Sequence, residues 1–152
     1  MKTVIAVLLL SVILTAALAS CNTPTTKVTV RFVTWEDADV KNEQVIYETE
    51  LEITTSNPTL YTVLEQANKV NTEIAPVYGE ADDGSVTPPH EFFGKQEGTE
   101  DNVKYSWVTY CTDADVKLDD KSTTVKDDEW SNVVTDGKVI TFVYIWFEMS
   151  DK

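Results

Sequence analysis

The chain has few residues of the kinds from which metal sites and nucleic-acid interfaces are built. Its 152 residues include two cysteines and a single histidine, His90. Positive charge is also scarce, since 12 lysines and arginines stand against 26 aspartates and glutamates, for a net charge of −14. So acidic a surface repels phosphate groups, and no basic stripe offsets the repulsion. The composition therefore excludes nucleic-acid binding.

The sequence motifs of enzymes are missing as well. There is no nucleophile elbow, no phosphate-binding loop and no zinc-ligand spacing. Carboxylates lie in solvated runs such as Asp127–Glu129, whereas acid–base catalysis needs a desolvated, positioned acid. His90 lies in a Pro-Pro-His stretch without a pairing motif, which argues against a catalytic Cys111. The acidic segment 113–119 lacks the glycine and terminal glutamate of a helix–loop–helix calcium site, so we expect neither a metal nor a cofactor.

The N-terminus has the layout of a secretory signal. Lys2 supplies positive charge, and an apolar run at 4–18 then leads through small residues to a cysteine. The run is too short for a stable membrane span. The sequence Leu18–Cys21 resembles the lipobox of bacterial lipoproteins, in which the cysteine becomes the lipidated first residue of the mature protein.

This resemblance implies a signal peptide at 1–20 and lipidation of Cys21. The protein would then lie outside the cytoplasm, anchored to a membrane of the bacterial cell envelope. The alternative is ordinary cleavage nearby, which leaves Cys21 free to pair with Cys111. If Cys21 is acylated, Cys111 is a lone thiol, and its place in a strand-like run favours burial over reactivity.

A short tether is expected at 21–26, followed by one domain at 27–149. Alternating apolar residues predict strands at 27–35 and 44–54, which form a hairpin with one solvated face.

An amphipathic helix is predicted after the hairpin. Asn57 offers an N-cap side chain, Pro58 suits the first helical position, and the pattern ends near Val70. The apolar stripe consists of Leu60, Val63, Leu64 and Ala67. One such helix must bury its stripe against the sheet, so we expect an α+β fold, with a β-grasp-like mixed sheet packed on a single helix.

Glycines and prolines predict a long loop at 79–98, which encloses Phe92 and Phe93. These adjacent aromatic residues either anchor the loop to the core or form a tip that contacts a ligand. A third strand is predicted at 103–111. The polar segment that follows it contains a candidate short strand at 123–125.

The last predicted strand, at 138–147, is apolar on both faces. One face carries Phe142, Tyr144 and Trp146, and a bare apolar face would be unfavourable. We therefore expect a cover opposite the helix, either the loop with Phe92 and Phe93, the Trp130 segment, a ligand or a partner.

The order of these elements resembles the β-grasp fold, and three stretches resemble the transcobalamin-like C-terminal domain family. Thr59–Ala67 is similar to the family's capped helix start. Tyr105–Tyr110 is similar to its tryptophan-and-tyrosine strand, and Val134–Ile140 to its closing aspartate-glycine turn and last strand. The chain departs from the family at Cys111–Asp115, where an asparagine-glycine turn is usual. The resemblance implies a binding module, since in vitamin B12 carriers this domain covers one face of the corrinoid.

We therefore predict a non-enzymatic, lipid-anchored binding module of the cell envelope, whose ligand is a small molecule, corrinoid-like or a glycan. The candidate ligand contacts are the aromatic residues near the predicted loops, namely Tyr78, Phe92, Phe93, Trp107 and Trp130. The alternative is a structural or adhesive module that contacts surface proteins through its sheet.

Overall fold

The computed structural model describes residues 24–36, 39–119 and 121–149, which form eight strands and one α-helix. In chain order they are β1 (Thr25–Glu36), β2 (Glu43–Thr54), α1 (Leu60–Val70), β3 (Val77–Glu80), β4 (Val86–Phe92), β5 (Lys95–Gln96), β6 (Gly98–Glu100), β7 (Val103–Asp113) and β8 (Lys138–Glu148). The predicted signal peptide and Cys21 lie outside the described residues. Within those residues, no helix has the length and apolar character needed to cross a bilayer.

The larger sheet contains five strands in the order β2-β1-β8-β7-β6. Its central pair, β1 and β8, runs parallel, from Val28 opposite Lys138 to Glu36 opposite Trp146. The other neighbours are antiparallel. A parallel pair needs a long crossover connection, and α1 lies within it. This topology confirms the predicted α+β class and the N-terminal hairpin.

Strand boundaries differ from the prediction most at β1 and β7, and one predicted strand is absent. β1 begins at Thr25, inside the expected tether, because Thr25 and Thr26 pair with residues of β2. β7 continues to Asp113, two residues further than predicted. The predicted strand at 123–125 is absent, since this segment makes one backbone hydrogen bond to β7 rather than a ladder, from Val125 N to Thr109 O at 2.7 Å.

Helix α1 forms where the apolar stripe predicts it, but its start is shifted. Thr59, not Asn57, is the N-cap, and its side chain accepts from the N–H of Thr62 at 3.4 Å. Pro58 precedes the helix instead of opening it, because its buried carbonyl accepts a hydrogen bond from the N–H of Val134 at 2.7 Å. All four stripe residues are buried, as predicted.

The prediction of a loop at 79–98 is wrong, because much of this segment folds into a second sheet of three strands, β3-β4-β5. The register between β3 and β4 shifts on both sides of Tyr78, opposite Pro89. Such irregularities let β4 contain proline, which cannot donate to a ladder. Phe93 and Gly94 form the turn to β5 with φ of 51° and 68°, the left-handed geometry of a two-residue hairpin turn.

Most aromatic residues of the large sheet meet on the face that α1 covers, which we call the inner face. Phe32 stacks on Phe142 with ring centroids 4.7 Å apart. Phe92, on β4, lies 5.2 Å from Phe142, and Trp130 lies 5.9 Å from it. Both residues cover the aromatic face of β8, as expected, but on the helix side rather than opposite it. The helix is too short to cover the whole inner face, because its 11 residues span only about 16 Å. Phe92 and Trp130 cover the part that the helix leaves open.

The opposite face, the outer face, has a smaller apolar cluster. Its buried members are Val33, Trp35, Tyr110 and Val143. Val40, in a short 3-10 turn after β1, and Leu118, after β7, partly cover this cluster. Beside it Arg31 forms ion pairs with Glu43 at 2.7 Å and Glu48 at 2.8 Å.

Candidate functional site

A cleft of about 390 Å³ opens between β4, β7 and the segment 124–130. Two of the predicted ligand contacts, Trp107 and Trp130, line it together with His90, Glu97 and Asp127. We call this opening the tryptophan cleft. Its position follows from the fold. β4 lies over the β7–β8 half of the inner face, and the segment that follows β7 returns alongside β7, where Val125 N donates to Thr109 O.

Trp107 is fixed by hydrogen bonds from both of its nitrogens. Its backbone N–H donates to Glu97 Oε1 at 2.7 Å, and its indole Nε1 donates to the Lys95 carbonyl at 2.7 Å. Glu97 Oε1 also accepts from Ser106 Oγ at 3.3 Å. The Trp107 side chain is buried with 8% exposure, so its ring can offer a ligand an apolar edge and no donor.

Trp130 is positioned by the start of the helix. Its carbonyl accepts from the N–H of Leu60 at 3.3 Å, and four residues later Val134 N donates to the Pro58 carbonyl. Among the described residues no hydrogen bond uses the indole N–H of Trp130, and the residue is buried with 3% exposure.

Aromatic side chains continue from the cleft to the surface. The Trp130 ring lies 5.3 Å from Tyr61, which lies 6.2 Å from Tyr78. The hydroxyl of Tyr61 donates to the Val86 carbonyl at 3.2 Å. Burial, helped by neighbouring carboxylates, raises the pKa of Tyr61 and of Tyr78 above 10.0. Both phenols are therefore protonated near neutral pH.

The five predicted ligand contacts lie in three different environments. Trp107 and Trp130 border the cleft, and Tyr78 is 37% exposed beyond Tyr61. Phe92 is only 1% exposed and belongs to the core, as the anchor interpretation expects. Phe93 is half-buried, with its ring 5.2 Å from Phe32, and its N–H donates to the Ile74 carbonyl. The structure thus brings Trp107, Trp130 and Tyr78 toward one surface, with Phe92 beneath it.

Sequence reasoning missed four residues of this region, His90, Glu97, Asp127 and Tyr61. His90 and Glu97 fell in or beside the predicted loop, and their roles appear only when β4 and β5 form. Tyr61 lies on α1 outside the apolar stripe. An aromatic residue outside such a stripe is a signal of a second contact surface, and it could have identified Tyr61.

The thiol of Cys111 lies on the inner face beside the core and is half-buried. Burial raises the pKa of Cys111; Lys138 opposes this shift, and Asp113 adds to it. In the part of the chain that the structure describes, no three His, Cys, Asp or Glu residues are grouped to hold a metal ion.

No family model matches the chain, and no curated protein matches it. A crystal structure of haptocorrin in complex with Cbi is similar to it, with a TM-score of 0.50 and 14% sequence identity. The similarity covers 78% of this chain and 25% of the haptocorrin chain, so this chain spans about a quarter of that protein. At this identity the comparison shows a shared fold and no more.

Proposed function

We propose that the chain is a non-enzymatic binding module that holds a small ligand in the tryptophan cleft, while an acylated Cys21 anchors it in the bacterial cell envelope. One observation carries this proposal. Two tryptophans, a histidine and two carboxylates line a single opening. A solved structure with a similar fold, haptocorrin, is a complex with Cbi.

The lining of the cleft defines the chemistry of the ligand. Glu97 and Asp127 bring carboxylate acceptors to the lining, and the rings of Trp107 and Trp130 bring apolar surface. The two carboxylates and the net charge of −14 disfavour anions. The ligand is therefore uncharged or cationic and rich in hydroxyl or amide groups.

The size of the cleft limits how much of a ligand it can hold. About 390 Å³ is near the lower end of the roughly 300–1,000 Å³ typical of small-molecule pockets. A glycan of one or two sugar rings fits within it. A corrinoid would be held at one side, with the rest of its ring over the half-buried Tyr61 and the exposed Tyr78.

Tryptophan fluorescence of the full chain, titrated with Cbi and separately with neutral oligosaccharides, tests the proposal. We expect a saturable change with one of these ligand classes, because Trp107 and Trp130 adjoin the bound molecule. No response to either class would contradict a small-ligand function.

A matched pair of variants locates the binding site. Thr124 is exposed and lines the cleft, whereas its exposed neighbour Thr123 is not among the lining residues. Thr124→Trp should fill the cleft and weaken binding at least about tenfold, the equivalent of 1.4 kcal/mol. Thr123→Trp should leave the affinity unchanged. Equal effects of the two substitutions would place the ligand elsewhere.

The anchor is tested separately in a bacterial host. Intact-mass analysis should find a chain that starts at Cys21 and carries acyl groups, and Cys21→Ser should release the protein from the membrane fraction. An unmodified thiol at Cys21 would contradict the anchor without affecting the cleft.

A further inference from the structure

The two edges of the five-stranded sheet differ. At one edge, β6 pairs with Val103–Tyr105 of β7. Beyond β6, Glu97 accepts the N–H of Trp107, and the N–H of Val125 donates to the carbonyl of Thr109, each at 2.7 Å. A short strand, a carboxylate and a crossing segment thus occupy this edge, and natural sheets commonly block their edges in such ways.

At the opposite edge, formed by β2, no part of the chain within 24–36, 39–119 and 121–149 adds a further strand. β2 is 12 residues long and pairs with β1 from Glu43 to Thr54, with one register shift at Ile46. The stretch from Tyr47 to Thr54 pairs without interruption, and no described strand lies on its other side. It contains no proline, glycine, lysine or arginine, although proline and lysine are residues that commonly protect an exposed edge. A long strand with an unpaired row of backbone N–H and C=O groups is a template for one further strand.

The side chains along β2 give this edge a charge. Glu48, Glu50 and Glu52 occupy alternate positions, so they lie on one side of the strand, and all three are exposed. From β1, Arg31 binds Glu48 at 2.8 Å and Lys27 binds Glu52 at 2.9 Å. Glu50 has no ion pair within the described ranges, so the row keeps a negative charge.

We infer that β2 accepts an extended segment of another protein as an added strand, with Lys or Arg at alternate positions facing Glu48, Glu50 and Glu52. A second copy of this chain would set glutamates against glutamates, and like charges directly opposite one another are destabilising. The net charge of −14 adds to that repulsion. The edge lies across the sheet from the tryptophan cleft, so the inference stands apart from the proposed ligand.

A synthetic peptide as long as β2, alternating Lys with Thr and Val, tests the inference on the full chain in detergent. We expect saturable binding by fluorescence anisotropy, weaker at high salt, and slower hydrogen exchange in the amides of β2. Two further peptides carry N-methyl groups on one or the other set of alternate amides. Only one of these two peptides should lose binding, because alternate N–H groups of an added strand point toward β2 and the remaining N–H groups point away from it.

Charge-reversal variants separate the edge from general attraction. Glu50→Lys should weaken peptide binding about fivefold, whereas Glu100→Lys, an exposed glutamate on β6, changes the net charge equally and should have no effect. Three results would each overturn the inference. The two variants could lose binding equally, both methylated peptides could bind undiminished, or the β2 amides could gain no protection from exchange. A dimer with protected β2 amides in sedimentation and exchange experiments would overturn it in favour of self-pairing.

Discussion

The inner and outer faces of the five-stranded sheet are held together by different interactions. On the inner face, α1 and the β3-β4-β5 sheet bury a continuous aromatic core that includes Phe32, Phe92 and Phe142. On the outer face, the buried cluster around Val143 is small, and Arg31 forms ion pairs beside it. Burial of apolar area stabilises far more than part-exposed ion pairs do. The inner face should therefore carry most of the free energy of folding.

This difference also separates the candidate sites. The tryptophan cleft is built on the inner side, where Trp107 and Trp130 are fixed by the same packing that stabilises the fold. The β2 edge belongs to the less buried part of the sheet. A ligand in the cleft would thus meet preorganised rings, whereas an added strand would meet a backbone that needs no rearrangement of the core.

The largest effect is expected from Phe92→Ala. Phe92 has 1% exposure, and its ring centroid lies 4.8 Å from Trp107 and 5.2 Å from Phe142. Removing the ring leaves a cavity in the core, which should lower the free energy of unfolding by about 3–5 kcal/mol. Urea denaturation followed by circular dichroism measures the change.

The neighbouring residue provides the control. Phe93→Ala removes a ring of the same size from a half-buried position and keeps the left-handed backbone that Phe93 already adopts. Its cost should be about half that of Phe92→Ala. Equal costs would mean that the β4-β5 turn stabilises the fold as much as the core does.

A smaller effect is expected on the outer face from Leu118→Ala. Leu118 is half-buried and packs against the outer cluster, so its removal exposes part of that small cluster. We expect a loss of about 1 kcal/mol, below the value for a fully buried leucine. The same urea titration checks it, and a loss as large as that of Phe92→Ala would contradict the proposed inequality of the two faces.

Periodic patterns in the sequence predict much of the inner face. The stripe of α1 and the alternation in β1, β2, β7 and β8 depend on near neighbours in the chain, and these elements form as predicted. The 79–98 segment could not be predicted in this way. Its Pro88 and Pro89 argue for a loop, but packing of Phe92 in the core overrides that local preference. The tryptophan cleft needs this second sheet, so the sequence identifies two of its walls and misses His90.

The helix start shows the same limit over a shorter distance. Asn57-Pro58 is a good local signal for a helix N-terminus, yet the Pro58 carbonyl is engaged by Val134, far along the chain. That tertiary contact delays the helix until Thr59. Local propensity therefore predicts that the helix exists. Where the helix begins depends on a long-range contact, the hydrogen bond from Val134 to Pro58, which local propensity does not include.

Two variants test which residue caps the helix. Their effect on the free energy of unfolding should be as large as that of Leu118→Ala or smaller. Thr59→Ala removes the acceptor for the N–H of Thr62 and should cost about 0.5–1 kcal/mol. Asn57→Ala should change little, because Asn57 is exposed and does not cap the helix. Thermal unfolding of both variants measures the difference, and the reverse order would restore the cap that the sequence predicts.

The smallest effect concerns a thiol at the border of the inner face. Because burial raises the pKa of Cys111, the folded chain holds this proton at a pH where the unfolded chain has begun to release it. The contribution to stability is therefore complete below the ordinary thiol pKa and is lost as the pH rises through the folded value. Alkylation by iodoacetamide needs the thiolate, so at pH 8 Cys111 should react more slowly in the folded chain than in urea. Peptide mapping by mass spectrometry reads Cys111 alone, and equal rates in the two states would show that this part of the inner face is open to solvent.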